Sequence, residues 1–158
     1  MKELSQKQKA VNYETIQHIR QVQANLNKLV VMLLERGRVH DKSKLEEPEL
    51  AYFVEHTDKL KGLTYGTEEY TKNLEVIAPA LEHHYAKNRH HPQHWPNGIN
   101  DMNIIDIVEM LADWAASTKR TANGNLRKSL ETNAKRFKIE PQLRAILENS
   151  IDLLSDDV

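Results

Sequence analysis

The sequence predicts an all-α fold, because apolar residues recur at the spacing of a helix and no segment alternates as a strand does. The clearest case is the segment 13–37, whose apolar residues follow a three-four spacing. They are Ile19, Val22, Leu26, Leu29, Val30, Leu33 and Leu34. With 158 residues the chain can bury a substantial core. We therefore expect a single compact helical domain of about six helices over residues 1–158.

The first two helices are bounded by residues that end or begin helices. Gly37 is placed to end the first helix in the left-handed conformation. Ser43 and Glu46 match a capping box, in which each side chain accepts a hydrogen bond from the other residue's backbone N–H. The second helix is therefore predicted to follow Ser43 and to reach about His56.

Prolines, glycines and asparagines divide the rest of the chain. A third helix is predicted over 68–85, with a kink near Pro79. Residues 87–103 contain two prolines, a glycine and four asparagines, so they are expected to form mostly loop. Asn103 then caps the most apolar helix, IIDIVEMLADWAASTKR. The last two helices are predicted over 125–137 and 141–154.

Composition and charge argue against several classes of protein. The formal net charge is −1, so no basic field favours nucleic acid as a partner. No apolar run approaches the roughly 18 residues of a membrane span. The N-terminal MKELSQKQKA also lacks the apolar segment of a signal peptide. We therefore expect a cytoplasmic protein that binds neither a membrane nor nucleic acid.

Histidine is concentrated in one short segment. EHHYAKNRHHPQHW, residues 82–95, contains five of the eight histidines in the chain. Because cysteine is absent, a metal ion would be bound by imidazole and carboxylate. That donor set suits manganese, iron, nickel, zinc or magnesium. His94, beside Trp95, is the histidine of this segment that we assign to structure.

Other histidines and acids supply further candidate ligands. His40 and Asp41 are adjacent at the mouth of a helix, where two side chains can bind one ion from two directions. His18 shares a helix face with apolar residues and is expected to face inward. Glu109 and Asp113 lie one turn apart on an apolar helix, where a carboxylate requires a cation or a base as its partner.

Each of these features also has an ordinary structural interpretation. A single inward histidine is more often a satisfied core residue than a ligand, and a lone His-Asp pair occurs by chance. Asp113 also fits a helix cap or the partner of an arginine. The histidine-rich loop also fits a surface scavenger of metal without catalysis. Their joint occurrence in one all-α chain is what favours a common site.

The order of these residues, a His, a His-Asp pair, two adjacent histidines and an Asp on a late helix, resembles that of the HD-domain superfamily of metal-dependent phosphohydrolases. The resemblance implies an HD-like fold with one or two bound divalent metal ions. The implied ligands of the first ion are His18, His40, Asp41 and Asp113. The implied ligands of a second ion, or further ligands of the first, are His83 and His84.

The segment HDKSK, residues 40–44, is similar to the HD-x-G-K form of the cyclic-nucleotide and cyclic-dinucleotide phosphodiesterase branches, with Ser43 in place of the glycine. By this resemblance Lys44 points toward a phosphate. HHYAKNRHHPQHW stands where those branches carry a two-histidine motif. The glycine-containing turn that follows the motif there is not reproduced in this sequence.

A closer resemblance is to a family of small proteins from bacteriophages and bacteria that is called a domain of unknown function. The matching pieces are HDKSK, HHYAKNRHHPQHW, NGINDMN, DIVEMLADW and NAKRF, and they span about residues 18–137. This resemblance implies a shared fold and a shared site, but no substrate. It also implies that the protein acts in a bacterial cytoplasm, which is that of the host if a phage encodes the protein.

Together these observations predict a phosphomonoesterase or phosphodiesterase that acts on a nucleotide or a related small phosphate metabolite through metal-activated water. The residues predicted to act in catalysis are Asp41, Lys44 and Glu109. The residues predicted to bind substrate are Lys44, Asn88, His90, His91 and Arg120. For Glu109, the sequence leaves open whether it orients a ligand or acts as a general base.

Two other functions stay open from the sequence. One is a protein without catalysis that binds metal for stability or to sense a ligand. The other is an all-α, magnesium-dependent nucleoside-triphosphate pyrophosphohydrolase, whose acids would be Glu46, Glu47, Glu109 and Asp113. In that case the histidines would be dispensable. The exposed parts of the first and last helices are also compatible with a homodimer.

Overall fold

A computed structural model describes residues 4–61, 77–120 and 123–154, with backbone alone for 57–61. Six α-helices and no strand occur in these segments, so the predicted all-α fold is confirmed. The helices are α1 (Gln6–Val39), α2 (Glu49–Lys61), α3 (Ala78–Lys87), α4 (Ile104–Thr118), α5 (Leu126–Arg136) and α6 (Pro141–Ser150). Short 3₁₀ turns lie at Lys42–Leu45, Pro92–His94, Gly98–Asp101 and Ile151–Leu154. None of the helices in these segments is long and apolar enough to cross a membrane.

The chain divides into a first unit, residues 1–38, and a second unit, residues 39–158. The described part of the first unit is α1 alone, and its apolar stripe is exposed, with Leu26 at 56%. The sequence predicted that this stripe faces inward. It is exposed because a lone helix has no second element in its own unit to pack against. The prediction of one domain over 1–158 stays a prediction.

The connection between α1 and α2 differs from the sequence prediction. Gly37 does not end α1, which continues to Val39. The left-handed residue is instead Asp41, with φ 54° and ψ 16°. Aspartate tolerates this conformation better than most residues because its short polar side chain can hydrogen-bond locally. The left-handed position of this turn is therefore occupied by Asp41 itself, and not by a glycine.

The predicted capping box of α2 is also wrong. Residues 42–45 form a 3₁₀ turn, and α2 begins only at Glu49. The Ser43 hydroxyl does not cap this helix, because it accepts a hydrogen bond from the Asn88 amide at 2.8 Å instead. The extra turn occupies the residues that the capping pattern assigned to a helix start.

Helix α3 begins at Ala78 with Pro79 in its first turn, where the missing N–H has no helical partner to lose. The described helix therefore has no kink at Pro79, and residues 68–76 of the predicted helix lie outside the described residues. The segment between α3 and α4 forms two 3₁₀ turns and irregular chain, in agreement with the loop predicted there.

Helix α4 starts as the sequence predicted. The Asn103 side chain accepts hydrogen bonds from the backbone N–H groups of Ile105 and Asp106, and Asp106 accepts one from the Asn103 N–H. The predicted helices over 125–137 and 141–154 are confirmed as α5 and as α6 with its following 3₁₀ turn. Local capping residues thus determine where α4 and α5 begin, whereas α6 begins at Pro141 without a side-chain cap.

The hydrophobic core of the second unit lies among its three C-terminal helices. Helix α4 packs against α5, and α5 packs against α6. The buried core residues are Ile107, Met110, Leu111, Trp114, Leu130, Ala134, Ile139, Leu147 and Ile151. Because α4 is held by this core, it is a rigid support for the polar residues that it also carries.

Candidate metal centre

Five parts of the second unit bring histidines and acids together. The turn after α1 supplies His40 and Asp41, and the first residue of α2 is Glu49. Helix α3, the loop after it and α4 supply the remaining members. They are His83, His84, His90, His91, Glu109 and Asp113. Glu49 is fully buried and His84 and His90 are 2% and 1% exposed, whereas His40, Asp41 and Asp113 are partly exposed to solvent.

Most of these residues fall into groups that could each hold a metal ion. In each group every residue offers one nitrogen or oxygen atom, and these atoms all lie within 4.8 Å of one another. The first ligand group consists of His40, Asp41 and Asp113. The second ligand group consists of Asp41, His84, His90 and His91. A third group consists of His40, His90 and Glu109. Asp41 belongs to both of the first two groups, so these two form one continuous centre.

The two carboxylate oxygens of Asp41 face different ligand groups. Its Oδ1 lies 3.3 Å from His84 Nε2 and 3.5 Å from His90 Nε2. Its Oδ2 lies 3.7 Å from His40 Nε2 and accepts a hydrogen bond from Lys44 Nζ at 2.6 Å. A carboxylate in this position can bind one ion through each oxygen.

His84 is held in one tautomer by its neighbours. Its Nδ1 lies 2.9 Å from Glu49 Oε2. The Asn88 amide is near that nitrogen, but its two N–H groups have acceptors of their own in the His84 carbonyl and Ser43 Oγ, both at 2.8 Å. We infer that His84 Nδ1–H donates to Glu49. The lone pair of Nε2 then faces Asp41 and the Nε2 of His91, 2.8 Å away.

His40 has the same arrangement on the other side of the centre. Its Nδ1 lies 2.9 Å from Glu109 Oε1. Its Nε2 lies 3.6 Å from Asp113 Oδ1, so it faces the first ligand group. The carboxylates of Asp113 and Glu109 raise the pKa of His40 to about 10. Without a metal ion, His40 is therefore protonated and partly offsets the negative charge of these acids.

Other pKa values in the centre follow from burial and nearby charge. Burial acts to raise the pKa of Asp41, but the nearby His84 ring and the hydrogen bond from the Lys44 ammonium outweigh it and hold that pKa far below its usual range. Burial, with the charges of His90 and His84, lowers the pKa of His91 to about 3. Asp41 is therefore ionised and His91 neutral at neutral pH, as metal ligation requires.

Several polar atoms of the centre are buried without a hydrogen bond. Among the described residues these include Asp41 Oδ1 and both ring nitrogens of His90. Buried polar atoms are almost always hydrogen-bonded, since leaving them unsatisfied costs stability. His90 Nε2 and Asp41 Oδ1 also face each other at 3.5 Å. A cation between these atoms would satisfy both of them.

The centre brings together most of the metal ligands that the sequence predicted, but not all. His40, Asp41, His84 and Asp113 belong to the ligand groups. His83 belongs to none of the groups found among the described residues, because its Nδ1 bonds Glu49 Oε1 at 2.7 Å. His18 lies in the first unit with an exposed side chain, and the groups of the second unit do not include it.

The predicted catalytic and substrate-binding residues are distributed differently. His90 and His91, which were predicted to bind substrate, belong to the second ligand group. Asn88 is buried, and its amide is occupied by the His84 carbonyl and Ser43. Glu109 contacts His40, as an orienting residue would. Arg120 is exposed just beyond the end of α4.

Glu49 is the member that the sequence analysis missed. Its two oxygens bond His83 and His84, from 34 and 35 residues away in the sequence. The available signal was weak, since an acid in the first turn of a helix usually interacts with the helix dipole. His94 was correctly assigned to structure, because its Nδ1 bonds the Tyr85 carbonyl at 2.8 Å.

The comparisons with known proteins place the chain in a family without supplying an activity. A family model described as "Family of unknown function (DUF5662)" matches residues 7–153. The comparisons with curated proteins and with solved structures found no match. The chemistry of this chain therefore has to be inferred from its own residues.

Proposed function

This chain belongs to the DUF5662 family, a family of unknown function, and we propose that it is a metal-dependent phosphohydrolase whose centre holds two divalent ions. The proposal depends above all on Asp41, whose two oxygens face two different ligand groups. Asp41 is thus the proposed bridge between the two ions. The proposal retains the His-Asp pair and the late Asp of the HD-like pattern, but all its ligands belong to the second unit, so His18 is not among them.

The residues present fit transition-metal ions. The second ligand group offers three imidazoles and one carboxylate oxygen, a donor set that suits manganese, iron, nickel or zinc better than magnesium. The first offers one imidazole and two carboxylates. Two of the buried atoms without hydrogen bonds, Asp41 Oδ1 and His90 Nε2, are ligand atoms that an ion would satisfy.

Carboxylates outside these two groups orient the ligands. Glu49 accepts from His84 Nδ1, and Glu109 bonds His40 Nδ1, so the Nε2 atom of each ring is directed into the centre. A carboxylate on the second nitrogen of a histidine fixes its tautomer and makes it a stronger ligand. This support distinguishes the arrangement from a chance cluster of surface histidines.

In the proposed reaction, the oxygen of a water molecule forms a bond to phosphorus while the bond from phosphorus to the leaving oxygen breaks. The leaving oxygen then takes up a proton. Bound divalent ions lower the pKa of water toward neutrality and offset the charge of the phosphoryl group. Lys44 is partly exposed beside Asp41, so its ammonium can also donate to a phosphate oxygen. The proposed substrate is a nucleotide or a related small phosphate metabolite.

Elemental analysis of purified protein tests the metal centre. We expect up to two equivalents of transition metal in the wild type and the loss of both in Asp41→Asn. His40→Ala and Asp113→Ala should lose the ion of the first ligand group, and His84→Ala that of the second. Absence of metal from the wild type, with no uptake on adding manganese, iron or zinc, would contradict the proposal.

His18→Ala decides between the ligand set implied by the HD-domain resemblance and the set found in the second unit. If the second unit is sufficient, this variant should retain the metal content and the metal affinity of the wild type. Loss of one equivalent would show that His18 ligates an ion. Asp101→Asn, an exposed change outside the centre, is the matched control for handling and metal loading.

Hydrolysis of a panel of phosphomonoesters, phosphodiesters and nucleoside triphosphates tests catalysis, with the organic products separated by chromatography and each candidate metal added separately. We expect turnover that Asp41→Asn abolishes. Metal in the wild type without turnover of any ester would favour a protein that binds metal without catalysis. Activity that survives His40→Ala would favour the pyrophosphohydrolase. That alternative has little support here, because Glu46 and Glu47 are exposed and belong to no ligand group of the described residues.

A further inference from the structure

A cavity of about 430 Å³ lies beside the candidate metal centre. Its wall includes His91 from the second ligand group and Asp113 from the first. A molecule in this cavity would therefore contact residues of both groups. The volume lies within the usual range for sites that bind small molecules and cofactors.

The opposite wall of this cavity is formed by α5 and carries positive charge. Lys128 and Arg136 both line it, with Thr132 between them. These three residues are spaced four apart, so they lie along one face of α5 and span about 12 Å from first to last. Among the described residues that line the cavity, Asp113, a candidate ligand, is the one acidic residue. The cavity thus has a metal-binding wall and a cationic wall.

The four cations of α5 differ in their partners. Arg127 pairs with Asp152 at 2.9 Å, and Lys135 pairs with Glu131 at 3.0 Å. Neither Lys128 nor Arg136 forms a recorded ion pair with a described acidic residue. The structure divides them into two that are neutralised and two that line a cavity.

The Arg136 side chain also contacts an aromatic residue that packs against the hydrophobic core. Its guanidinium lies 4.8 Å from the centroid of the Phe137 ring, and Phe137 stacks on Trp114 with centroids 6.3 Å apart. This contact restricts the arginine side chain, so less conformational entropy is lost when it binds an anion. Ser129 and Asn133 add neutral hydrogen-bonding groups to the same wall.

We propose that this cavity binds the leaving part of the phosphoester, and that this part carries a second anionic group held by Lys128 and Arg136. The inference rests on the proposed function, since the first phosphate is assigned to the metal centre. It narrows the substrate class to small molecules with two separated anionic groups, such as bisphosphates. Arginine and lysine recognise such groups by charge-assisted hydrogen bonds.

A second cavity, of about 480 Å³, does not carry the same argument. It lies between the loop after α3 and the start of α6, with Gly98, Phe137 and Leu143 in its wall. No member of the ligand groups lines it, and its Lys138 is accompanied by Glu140. It therefore lacks both the metal-binding wall and the net positive charge of the cavity beside the centre.

Matched pairs of substrates test the proposal. The first pair is a nucleoside 5′-monophosphate and the 3′,5′-bisphosphate of the same nucleoside. The second is a hexose 6-phosphate and the hexose 1,6-bisphosphate. With manganese-loaded protein we expect kcat/KM for each bisphosphate to exceed that of its monophosphate by about ten-fold or more. Lys128→Gln and Arg136→Gln should remove most of this preference by raising KM for the bisphosphates alone.

Arg127→Gln and Lys135→Gln are the matched controls, since they remove the same charge from the same helix without touching the cavity. They should leave the preference unchanged. Equal kcat/KM for both members of each pair, or equal losses in all four variants, would overturn the proposal. Calorimetric titration of manganese-loaded protein with the same compounds separates binding from turnover. Tighter bisphosphate binding that depends on Lys128 and Arg136, without hydrolysis, would support the anion-binding role of the cavity and refute the proposed reaction.

Discussion

Glu49 shows how one buried carboxylate can determine the chemistry of its neighbours. It is fully buried, yet hydrogen bonds from His83 and His84 hold its pKa below its usual value despite that burial. An ionised buried carboxylate is stable only when its oxygens are paired. Glu49 meets that condition by binding two imidazoles, and in doing so it directs His84 Nε2 toward Asp41.

Replacing Glu49 by Gln is expected to weaken metal binding at the second ligand group by about 10- to 100-fold. Glutamine keeps the size and one acceptor oxygen, but it removes the charge that fixes the His84 tautomer. The measurement is metal affinity by competition with a chelating dye. Glu47→Gln, at an exposed position of the same segment, is the control.

Unchanged metal affinity in Glu49→Gln would contradict the orienting role. Circular dichroism should be measured on the same samples, because a variant that has lost helix content would report on folding and not on ligation. A weaker affinity at unchanged helicity is the expected result.

The sequence could not show which of the clustered histidines face the candidate metal centre, because this depends on the direction of each side chain. His83 and His84 are adjacent on α3, so they point about 100° apart, and a single centre on one side of the helix favours one of them. Periodicity predicts that they differ, but only the position of Glu49 and Asp41 decides that His84, and not His83, belongs to a ligand group. His90 and His91 lie on an irregular loop, where no period indicates direction.

At the scale of helices and their connections, two glycines have opposite roles. Gly37 lies inside α1, and a Cβ added there would meet nothing within 4 Å. Gly124 lies just before α5, and a Cβ added there would collide with the backbone carbonyl of Thr118 at the end of α4. The close approach of these two segments therefore requires glycine at 124, whereas α1 does not require it at 37.

Alanine at these positions is expected to change stability in opposite directions. Gly37→Ala should stabilise the helix by up to about 1 kcal/mol, because alanine loses less backbone entropy. Gly124→Ala should lower the free energy of unfolding by more than about 1 kcal/mol, since the backbone must shift. Urea unfolding followed by circular dichroism measures both. A neutral Gly124→Ala would mean that the α4–α5 connection relaxes without cost.

The starts of α4 and α5 were predictable because their caps are local. Asn103 bonds N–H groups two and three residues later, and Asn125 bonds that of Lys128. The connection from α1 to α2 was not predictable in the same way. Ser43 matches a cap by pattern, but Asn88, which is 45 residues away, offers its hydroxyl a hydrogen bond that the sequence cannot reveal.

At the scale of the second unit, the candidate centre concentrates negative charge. Four carboxylates, those of Asp41, Glu49, Glu109 and Asp113, lie among its histidines. They come from three separate parts of the chain, so an ion bound among them would link these parts. Metal binding should therefore be coupled to the stability of the unit.

We expect a divalent transition metal to raise the free energy of unfolding of the wild type. At a free concentration of 100 times Kd the gain is about 2.7 kcal/mol for each site. Asp41→Asn should abolish the gain, while its amide still suits the left-handed backbone. The measurement is Tm with added manganese and with a chelator. An equal rise in Asp41→Asn would indicate binding elsewhere.

By itself, the sequence determined the all-α class, the caps of α4 and α5 and the candidate residues His40, Asp41, His84 and Asp113. These features depend on period, spacing and residue type, which act over a few residues. The tertiary structure alone decided that Glu49 orients His84, that His90 and His91 join the ligand group, and that Lys128 and Arg136 line a cavity. These relations join parts of the chain that only packing of the helices brings within hydrogen-bonding distance or onto a common wall.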